Sequence, residues 1–220
     1  MEKKQILIVV DMQNDFITGT LGSEDAKQIV GNVVEVVKSH KGDIYFTRDT
    51  HEKNYLDTQE GKNLPVAHCI KGTEGREICP ELQKFTENAV VIDKPAFGSM
   101  ELAEKIKKAA EQNGIESITL VGLCTDICVI SNAMILKAAL PEVPVKVIEN
   151  CCAGVSAKSH KNALEAMKMC QISVLLSKLP LESFVCANSS IYSHNYYESK
   201  RMMCGREKVT IKILTETVKF

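Results

Sequence analysis

The feature that most constrains the fold is the segment at residues 5–10, Q-I-L-I-V-V, in which an unbroken apolar run follows Gln5 and ends at Asp11. A strand with one face in water would alternate apolar and polar residues, so this run predicts a strand buried on both faces, as in a parallel sheet. Similar short runs recur at residues 44–47, 90–94, 117–121, 145–148 and 173–176. Helix-like segments separate most of them, and this alternation predicts an α/β fold: a three-layer α/β/α domain with a mostly parallel, about six-stranded sheet.

The helices are predicted from apolar spacing and from their end signals. A helix is expected at residues 25–39, a second at 99–113 with Ser99 as its cap, a third from Ile127 to Leu140, and a fourth at 159–169. We therefore expect one domain over residues 1–178. Residues 179–220 have no clear period and are predicted to be a C-terminal extension of uncertain structure.

Composition narrows the class of protein. The net charge is −1, from 27 basic and 28 acidic residues, and no long basic run suggests nucleic acid as a partner. We see no leader and no apolar run of membrane-spanning length, and the nine cysteines contain no C-x-x-C pair. We therefore expect a reduced, cytoplasmic protein with a small-molecule substrate and no nucleic-acid or membrane partner, and we expect a homo-oligomer.

Chemically active residues follow the predicted strands. Asp11 ends the first strand, Asp49 and His51 follow the second, Lys94 ends the third, and Cys128 lies just beyond the fourth. Ligands of parallel α/β sheets bind beyond the carboxyl ends of the strands, so these side chains are predicted to converge on one site. Each also has a structural explanation, as a turn cap or a solvated strand end.

Cys128 is the candidate nucleophile. The segment 121–129, V-G-L-C-T-D-I-C-V, predicts a strand, a tight turn through Thr125 and Asp126, and a helix whose first turn carries Cys128. Unpaired N–H groups and the helix dipole there would lower the pKa of the cysteine. The alternative is that Cys128 is a small buried hydrophobic residue.

The neighbouring residues complete a mechanism of nucleophilic attack on a carbonyl carbon. Asp11 would accept the thiol proton and Lys94 would stabilise the resulting charges, while backbone N–H groups of Cys128 and of the turn near Cys124 would form the oxyanion hole. Asp11 and Lys94 could instead be a structural ion pair.

Residues 48–83 are predicted to form a long polar loop, and this loop carries a candidate metal site. Asp49 and His51 form a D-x-H turn, His68 adds a second imidazole, and Glu60 lies between them. One aspartate and two histidines with open positions suit Zn²⁺ first, with Fe²⁺ or Mn²⁺ as alternatives. A surface position is the alternative for each histidine.

The same residues resemble the isochorismatase-like cysteine hydrolases, and within them the nicotinamidase/pyrazinamidase group. The matching motifs cover residues 5–176: I-L-I-V-V-D-M-Q-N-D-F (6–16), F-T-R-D-T-H (46–51), P-V-A-H-C-I-K-G-T-E-G (65–75), V-I-D-K-P-A-F (91–97) and G-L-C-T-D-I-C-V (122–129).

The resemblance implies a catalytic triad of Asp11, Lys94 and Cys128. It further implies metal ligation by Asp49, His51 and His68 with Glu60 as an acidic fourth ligand, substrate contact by Phe16, and a cis peptide bond between Leu123 and Cys124. The implied reaction converts a small, nicotinamide-like aromatic carboxamide to a carboxylic acid and ammonia through a thioester, as in pyridine nucleotide biosynthesis.

The chain departs from the family pattern in two places. It has no Trp, and Thr50 stands near the metal turn where relatives carry an aromatic residue. Cys124 replaces a smaller or apolar residue. These differences leave the substrate open, so a metal-free isochorismatase-like or carbamoyl/ureido C–N hydrolase is the first alternative. A receiver-like or non-catalytic binding domain is the alternative of another class.

Overall fold

The computed structural model describes residues 3–177, so the predicted extension at 179–220 lies outside the described residues. The six strands of these residues form one sheet: β1 (Lys4–Val10), β2 (Asp43–Asp49), β3 (Val90–Lys94), β4 (Ile115–Leu123), β5 (Val145–Ala153) and β6 (Ser173–Leu175). Their order is β3-β2-β1-β4-β5-β6, and every neighbouring pair is parallel. The predicted fold class is confirmed.

The helices follow the strands in the expected alternation. They are α1 (Asn14–Ile17), α2 (Glu24–Ser39), α3 (Gln59–Asn63), α4 (Pro80–Gln83), α5 (Met100–Asn113), α6 (Ile130–Ala139) and α7 (Ala157–Met169). Serine side chains cap three of them: Ser23 begins α2, Ser99 begins α5 as predicted, and Ser156 begins α7. Among the described helices, none is both long and apolar enough to cross a bilayer.

The sequence of β1 does not alternate between apolar and polar residues because both faces of the strand are buried. Ile6, Ile8 and Val10 point into one core with α5, α6 and α7, whereas Leu7 and Val9 point into a second core with α2 and α4. All five side chains are at most 1% exposed. Full burial of such a side chain contributes about 1.5–3 kcal/mol, so both faces of β1 stabilise the sheet.

The strand order reverses between β1 and β4, and the two carboxyl ends therefore open a crevice. Gly122, near the end of β4, has φ +115°, and a Cβ there would lie 2.1 Å from the carbonyl oxygen of Val10. Only glycine permits this close approach of the two strands beside the site.

Two predicted elements differ from the structure. The expected helix from Ile127 begins with a π-helical turn at Thr125–Val129, and regular α-helix starts only at Ile130. The amide of Val129 donates to the carbonyl of Cys124 at 3.0 Å, a wider loop than an α-helical bond closes. The long region 48–83 is also more regular than expected, because it contains α3, α4 and two 3₁₀ turns, Tyr55–Asp57 and Glu74–Arg76.

Candidate functional site

The predicted convergence at the strand ends is present. Asp11 follows β1 with φ +48°, Asp49 is the last residue of β2, and Lys94 is the last residue of β3. Cys128 lies beyond β4 in the π-helical turn. These four residues are buried. Asp11 as a whole residue is 0% exposed and Lys94 is 1% exposed, so their charges interact across protein rather than across water.

Lys94 is the centre of this cluster. Its Nζ lies 2.7 Å from Asp11 Oδ2 and donates to Cys128 Sγ at 3.4 Å. It also donates to the carbonyl oxygen of Ala96 at 3.1 Å. Burial alone would lower the pKa of Lys94, but the charges of Asp11 and Asp49 raise it far above its usual range. Lys94 is therefore a permanent cation in contact with both candidate reacting groups.

The two oxygens of Asp11 have different surroundings. Oδ1 accepts a hydrogen bond from Thr47 Oγ1 at 2.7 Å. Oδ2 is buried beside Lys94 and accepts no aligned hydrogen bond from the described residues. Burial raises the pKa of Asp11, with Asp49 adding to the effect, although Lys94 opposes it. Asp11 Oδ2 is thus the oxygen with capacity to take a proton.

The expected lowering of the Cys128 pKa is wrong. Burial, the largest effect, and the charge of Asp11 raise the pKa of Cys128 well above its usual value, and Lys94 only partly offsets them. The helix start that was expected to favour the thiolate is a π-helical turn in the core, where Cys128 is 5% exposed. This direction favours the thiol over the thiolate, so a nucleophilic role of Cys128 would need a base.

The turn that carries Cys128 is held by contacts that the sequence did not predict. The peptide bond between Leu123 and Cys124 is cis, as the resemblance implied. Thr125 is fully buried, and its hydroxyl lies 2.8 Å from His160 Nδ1 on α7. Both carboxylate oxygens of Asp126 accept from the amide of Val155 at 3.1 Å. Thr125 and Asp126 thus attach the turn that carries Cys128 to the start of α7.

The predicted metal-binding residues form one group. Asp49, His51, Glu60 and His68 each offer a ligand atom, and these atoms all lie within 4.8 Å of one another. His51 Nε2 lies 2.9 Å from Asp49 Oδ2, and His68 Nε2 lies 3.4 Å from the same oxygen. Glu60 Oε1 lies 3.6 Å from His51 Nε2. Two imidazoles and two carboxylates facing one point fit a borderline divalent cation such as Zn²⁺.

Asp49 connects the two clusters. Its Oδ2 faces the imidazoles, while its Oδ1 accepts from Lys94 Nζ at 3.3 Å. Burial alone would raise the pKa of Asp49, but hydrogen bonds from His51 and His68 and the charge of Lys94 hold it well below its usual range. This direction favours the ionised carboxylate, which is the form that a metal ligand requires.

The segment after β1 supports both turns that carry the candidate metal ligands. The Gln13 side chain donates to the carbonyl oxygens of Asp49 and Arg76, each at 2.8 Å, and accepts from the amide of Asp49 at 2.7 Å. Asp15 accepts from the amide of Cys69 at 2.7 Å, directly after His68. Neither role was predicted from the sequence, although Gln13 and Asp15 both belong to the D-M-Q-N-D-F motif.

Phe16 and Thr50 lie at the edges of the site. The centroid of the Phe16 ring lies 5.5 Å from that of the His68 ring, so Phe16 lies on the side of the site that carries the candidate metal ligands. The Thr50 hydroxyl donates to the carbonyl of Arg48 at 3.2 Å and accepts from Arg76 Nε at 3.1 Å. Thr50, His51 and Lys94 also contribute to the lining of a cavity of about 340 Å³.

Comparison with known proteins identifies the domain. The protein-family model described as the isochorismatase domain matches residues 5–178 of this chain. A nicotinamidase/pyrazinamidase of Mycobacterium tuberculosis is 27% identical over 186 residues, which cover 78% of this chain and 98% of the relative.

Two solved structures share the fold. A pyrazinamidase of Pyrococcus horikoshii in complex with zinc is 28% identical, with a TM-score of 0.66 over 79% of this chain and 99% of that chain. An N-carbamoylsarcosine amidase of Thermoplasma acidophilum is 26% identical, with a TM-score of 0.66 over 81% and 99%. Since the domain match spans most of the chain, this protein belongs to the isochorismatase-domain family.

Proposed function

We propose that this protein is a metal-dependent cysteine amidohydrolase that converts a small, nicotinamide-like aromatic carboxamide to a carboxylic acid and ammonia through a thioester. The observation that carries the proposal is the buried contact of Lys94 with Asp11 and Cys128, beside the group of Asp49, His51, Glu60 and His68. A nucleophile, a base and a cation support amide cleavage, and the adjacent ligand group supports a metal.

In the first step, Cys128 Sγ attacks the carboxamide carbon while its proton moves to Asp11 Oδ2. The raised pKa of both groups supports this pairing, because a thiol with a raised pKa keeps its proton until a base takes it. Lys94 remains charged throughout and stabilises the negative charge that develops around it. The backbone N–H groups of Cys124 and Cys128 are the proposed donors to the oxyanion.

In the second step, the C–N bond breaks and Asp11 returns its proton to the departing nitrogen, which leaves as ammonia. A thioester between Cys128 and the acyl group remains. Water then attacks the thioester carbon, with Asp11 accepting one of its protons. Breaking the C–S bond returns that proton to Cys128 and releases the acid, so the sum of the steps is hydrolysis of the amide.

Asp49, His51, His68 and Glu60 would hold the metal, with Zn²⁺ as the first candidate and Fe²⁺ or Mn²⁺ as alternatives. A cation held there would supply a coordination position for a ring nitrogen of the substrate. Phe16, packed near His68, is the proposed apolar contact for that ring. The names of the relatives, nicotinamidase/pyrazinamidase and pyrazinamidase in complex with zinc, support this substrate class.

A second candidate is hydrolysis of a carbamoyl or ureido C–N bond without a metal. The structural similarity to an N-carbamoylsarcosine amidase favours it. The triad would serve this reaction equally well, so the two candidates differ in the role of the ligand group and in the acyl group that Cys128 attacks.

Release of ammonia from a panel of nicotinamide, pyrazinamide, benzamide and N-carbamoyl amino acids separates the candidates. Each substrate is tested on protein as purified, after chelation, and after Zn²⁺ is restored. We expect pyridine and pyrazine carboxamides to be cleaved only with metal. Cleavage of N-carbamoyl compounds alone, unaffected by chelation, would select the second candidate.

Cys128→Ala tests the nucleophile in the same assay, with Cys170→Ala as the matched control. Cys170 is an exposed free cysteine at the end of α7. We expect Cys128→Ala to be inactive and Cys170→Ala to match the wild type. Full activity of Cys128→Ala would contradict the thioester and favour a non-cysteine mechanism.

A further inference from the structure

Tyr55 packs against both imidazoles of the candidate metal-ligand group. The side chain is 1% exposed, which makes it one of the largest fully buried side chains among the described residues. Its ring centroid is 4.6 Å from that of His51 and 4.9 Å from that of His68. No sequence pattern predicted a role for Tyr55.

The same residue holds both ends of α3, the short helix that carries Glu60. At the start of α3, the carbonyl oxygen of Tyr55 accepts from the amide of Thr58 at 3.0 Å and from its hydroxyl at 2.7 Å. At the end of α3, the Tyr55 hydroxyl donates to the carbonyl oxygen of Leu64 at 3.0 Å. Leu64 in turn donates its amide to the carbonyl of Glu60 at 2.8 Å.

The packing between Tyr55 and α3 leaves no space. A Cβ at Gly61, the residue after Glu60, would lie 2.1 Å from the carbonyl oxygen of Tyr55. A five-residue helix is too short to be stable alone, so its position depends on such contacts. The position of Glu60 is therefore set by the contacts that Tyr55 makes with both ends of α3.

We propose that Tyr55 is a positioning residue for the metal site: its ring orients the two imidazoles, and its hydroxyl fixes α3 so that Glu60 completes the ligand set. The inference rests on the proposed function, because it concerns the same metal. Partners of metal ligands behave in this way generally, and their loss lowers metal affinity by about 10- to 100-fold.

The test measures Zn²⁺ affinity of metal-free protein by competition with a chromogenic chelator. Tyr55→Phe keeps the ring and removes only the hydroxyl, so we expect affinity to fall by about 10-fold. Tyr45→Phe is the matched control, since Tyr45 is a tyrosine of β2, four residues before Asp49, and is not part of the ligand group. We expect Tyr45→Phe to bind Zn²⁺ like the wild type.

A double-mutant cycle with Glu60→Gln tests whether the hydroxyl acts through α3. We expect Glu60→Gln alone to weaken Zn²⁺ binding, and Tyr55→Phe to add less than about a 2-fold further loss in that background. Tyr55→Leu, which also removes the ring, should weaken binding further in either background. Urea unfolding of each variant shows whether the affinities refer to folded protein.

Each outcome of these measurements either supports or overturns the positioning role of Tyr55. It is overturned if Tyr55→Phe binds Zn²⁺ like the wild type, if Glu60→Gln has no effect, or if the loss from Tyr55→Phe is the same with and without Glu60. Failure of the proposed function looks different: wild-type protein would then bind no Zn²⁺, and the inference would fall with it.

Discussion

Lys94 Nζ lies 2.7 Å from Asp11 Oδ2, and neither side chain has any exposure to solvent. Removing one member of a buried ion pair leaves a charge without compensation, which costs about 3–5 kcal/mol. We therefore expect Lys94→Met to lower the free energy of unfolding by that amount and to abolish amide hydrolysis. Urea denaturation at pH 7.5 measures the first effect.

Lys4→Met is the control for the charge change. Lys4 pairs with Asp43 at 2.9 Å, but the two side chains are 46% and 40% exposed, so the expected loss is below about 1 kcal/mol. Equal losses in the two variants would show that the Asp11–Lys94 pair does not stabilise the fold. Asp11→Asn combined with Lys94→Met should recover part of the stability, because the uncompensated carboxylate is then also gone.

The titration of Cys128 should differ from that of a thiol activated by a lowered pKa. Because burial and Asp11 raise the pKa of Cys128, its thiolate should form only well above the usual range of a cysteine. The difference in absorbance at 240 nm between wild type and Cys128→Ser, followed from pH 6 to 11, reports this ionisation. Appearance of the thiolate below pH 8 would contradict the expected direction.

The Asp11→Asn variant tests the direction in which the charge of Asp11 changes the pKa of Cys128. Asparagine carries no negative charge to oppose the thiolate, and Lys94 is no longer neutralised by a partner. Both changes favour the charged form, so the pKa of Cys128 should fall in this variant. An unchanged titration would mean that burial alone raises the pKa of the thiol.

The contact of Thr125 with His160 should affect catalysis without affecting the metal. His160→Ala removes the 2.8 Å hydrogen bond that attaches the nucleophile turn to α7. A hydrogen bond contributes about 0.5–1.5 kcal/mol, so kcat should fall by up to about 10-fold while the Zn²⁺ content stays the same. Lys161→Ala, at the next and exposed position of α7, is the control, and an equal effect there would argue against a local role of His160.

The fold and the clusters of the site were predictable because they depend on short, regular signals. Continuous apolar runs such as residues 5–10 specify strands buried on both faces, and parallel strands bring Asp11, Asp49 and Lys94 to one edge. The D-x-H turn and His68 likewise indicated a ligand group.

The remaining features depend on contacts between residues far apart in sequence. The ionisation of Cys128 could not be predicted from its helix-start position, because burial outweighs the favourable dipole. Nothing in the segment 121–129 indicates that Thr125 meets His160, 35 residues later. The roles of Tyr55 and Gln13 were likewise invisible, because a buried tyrosine or glutamine has no distinctive pattern until its partners are placed.

Gln13 should be more sensitive to substitution than its surface counterpart Gln5. The Gln13 side chain is fully buried and bonds the amide and carbonyl of Asp49 and the carbonyl of Arg76. Gln13→Leu leaves these groups buried without partners, at about 1–3 kcal/mol each, so we expect a loss of several kcal/mol in unfolding free energy and weaker Zn²⁺ binding through Asp49. Gln5→Leu removes one exposed hydrogen bond, to Glu116, and should change neither quantity measurably. If the two variants lost similar stability in urea denaturation and bound Zn²⁺ equally, Gln13 would not be holding the end of β2 in place.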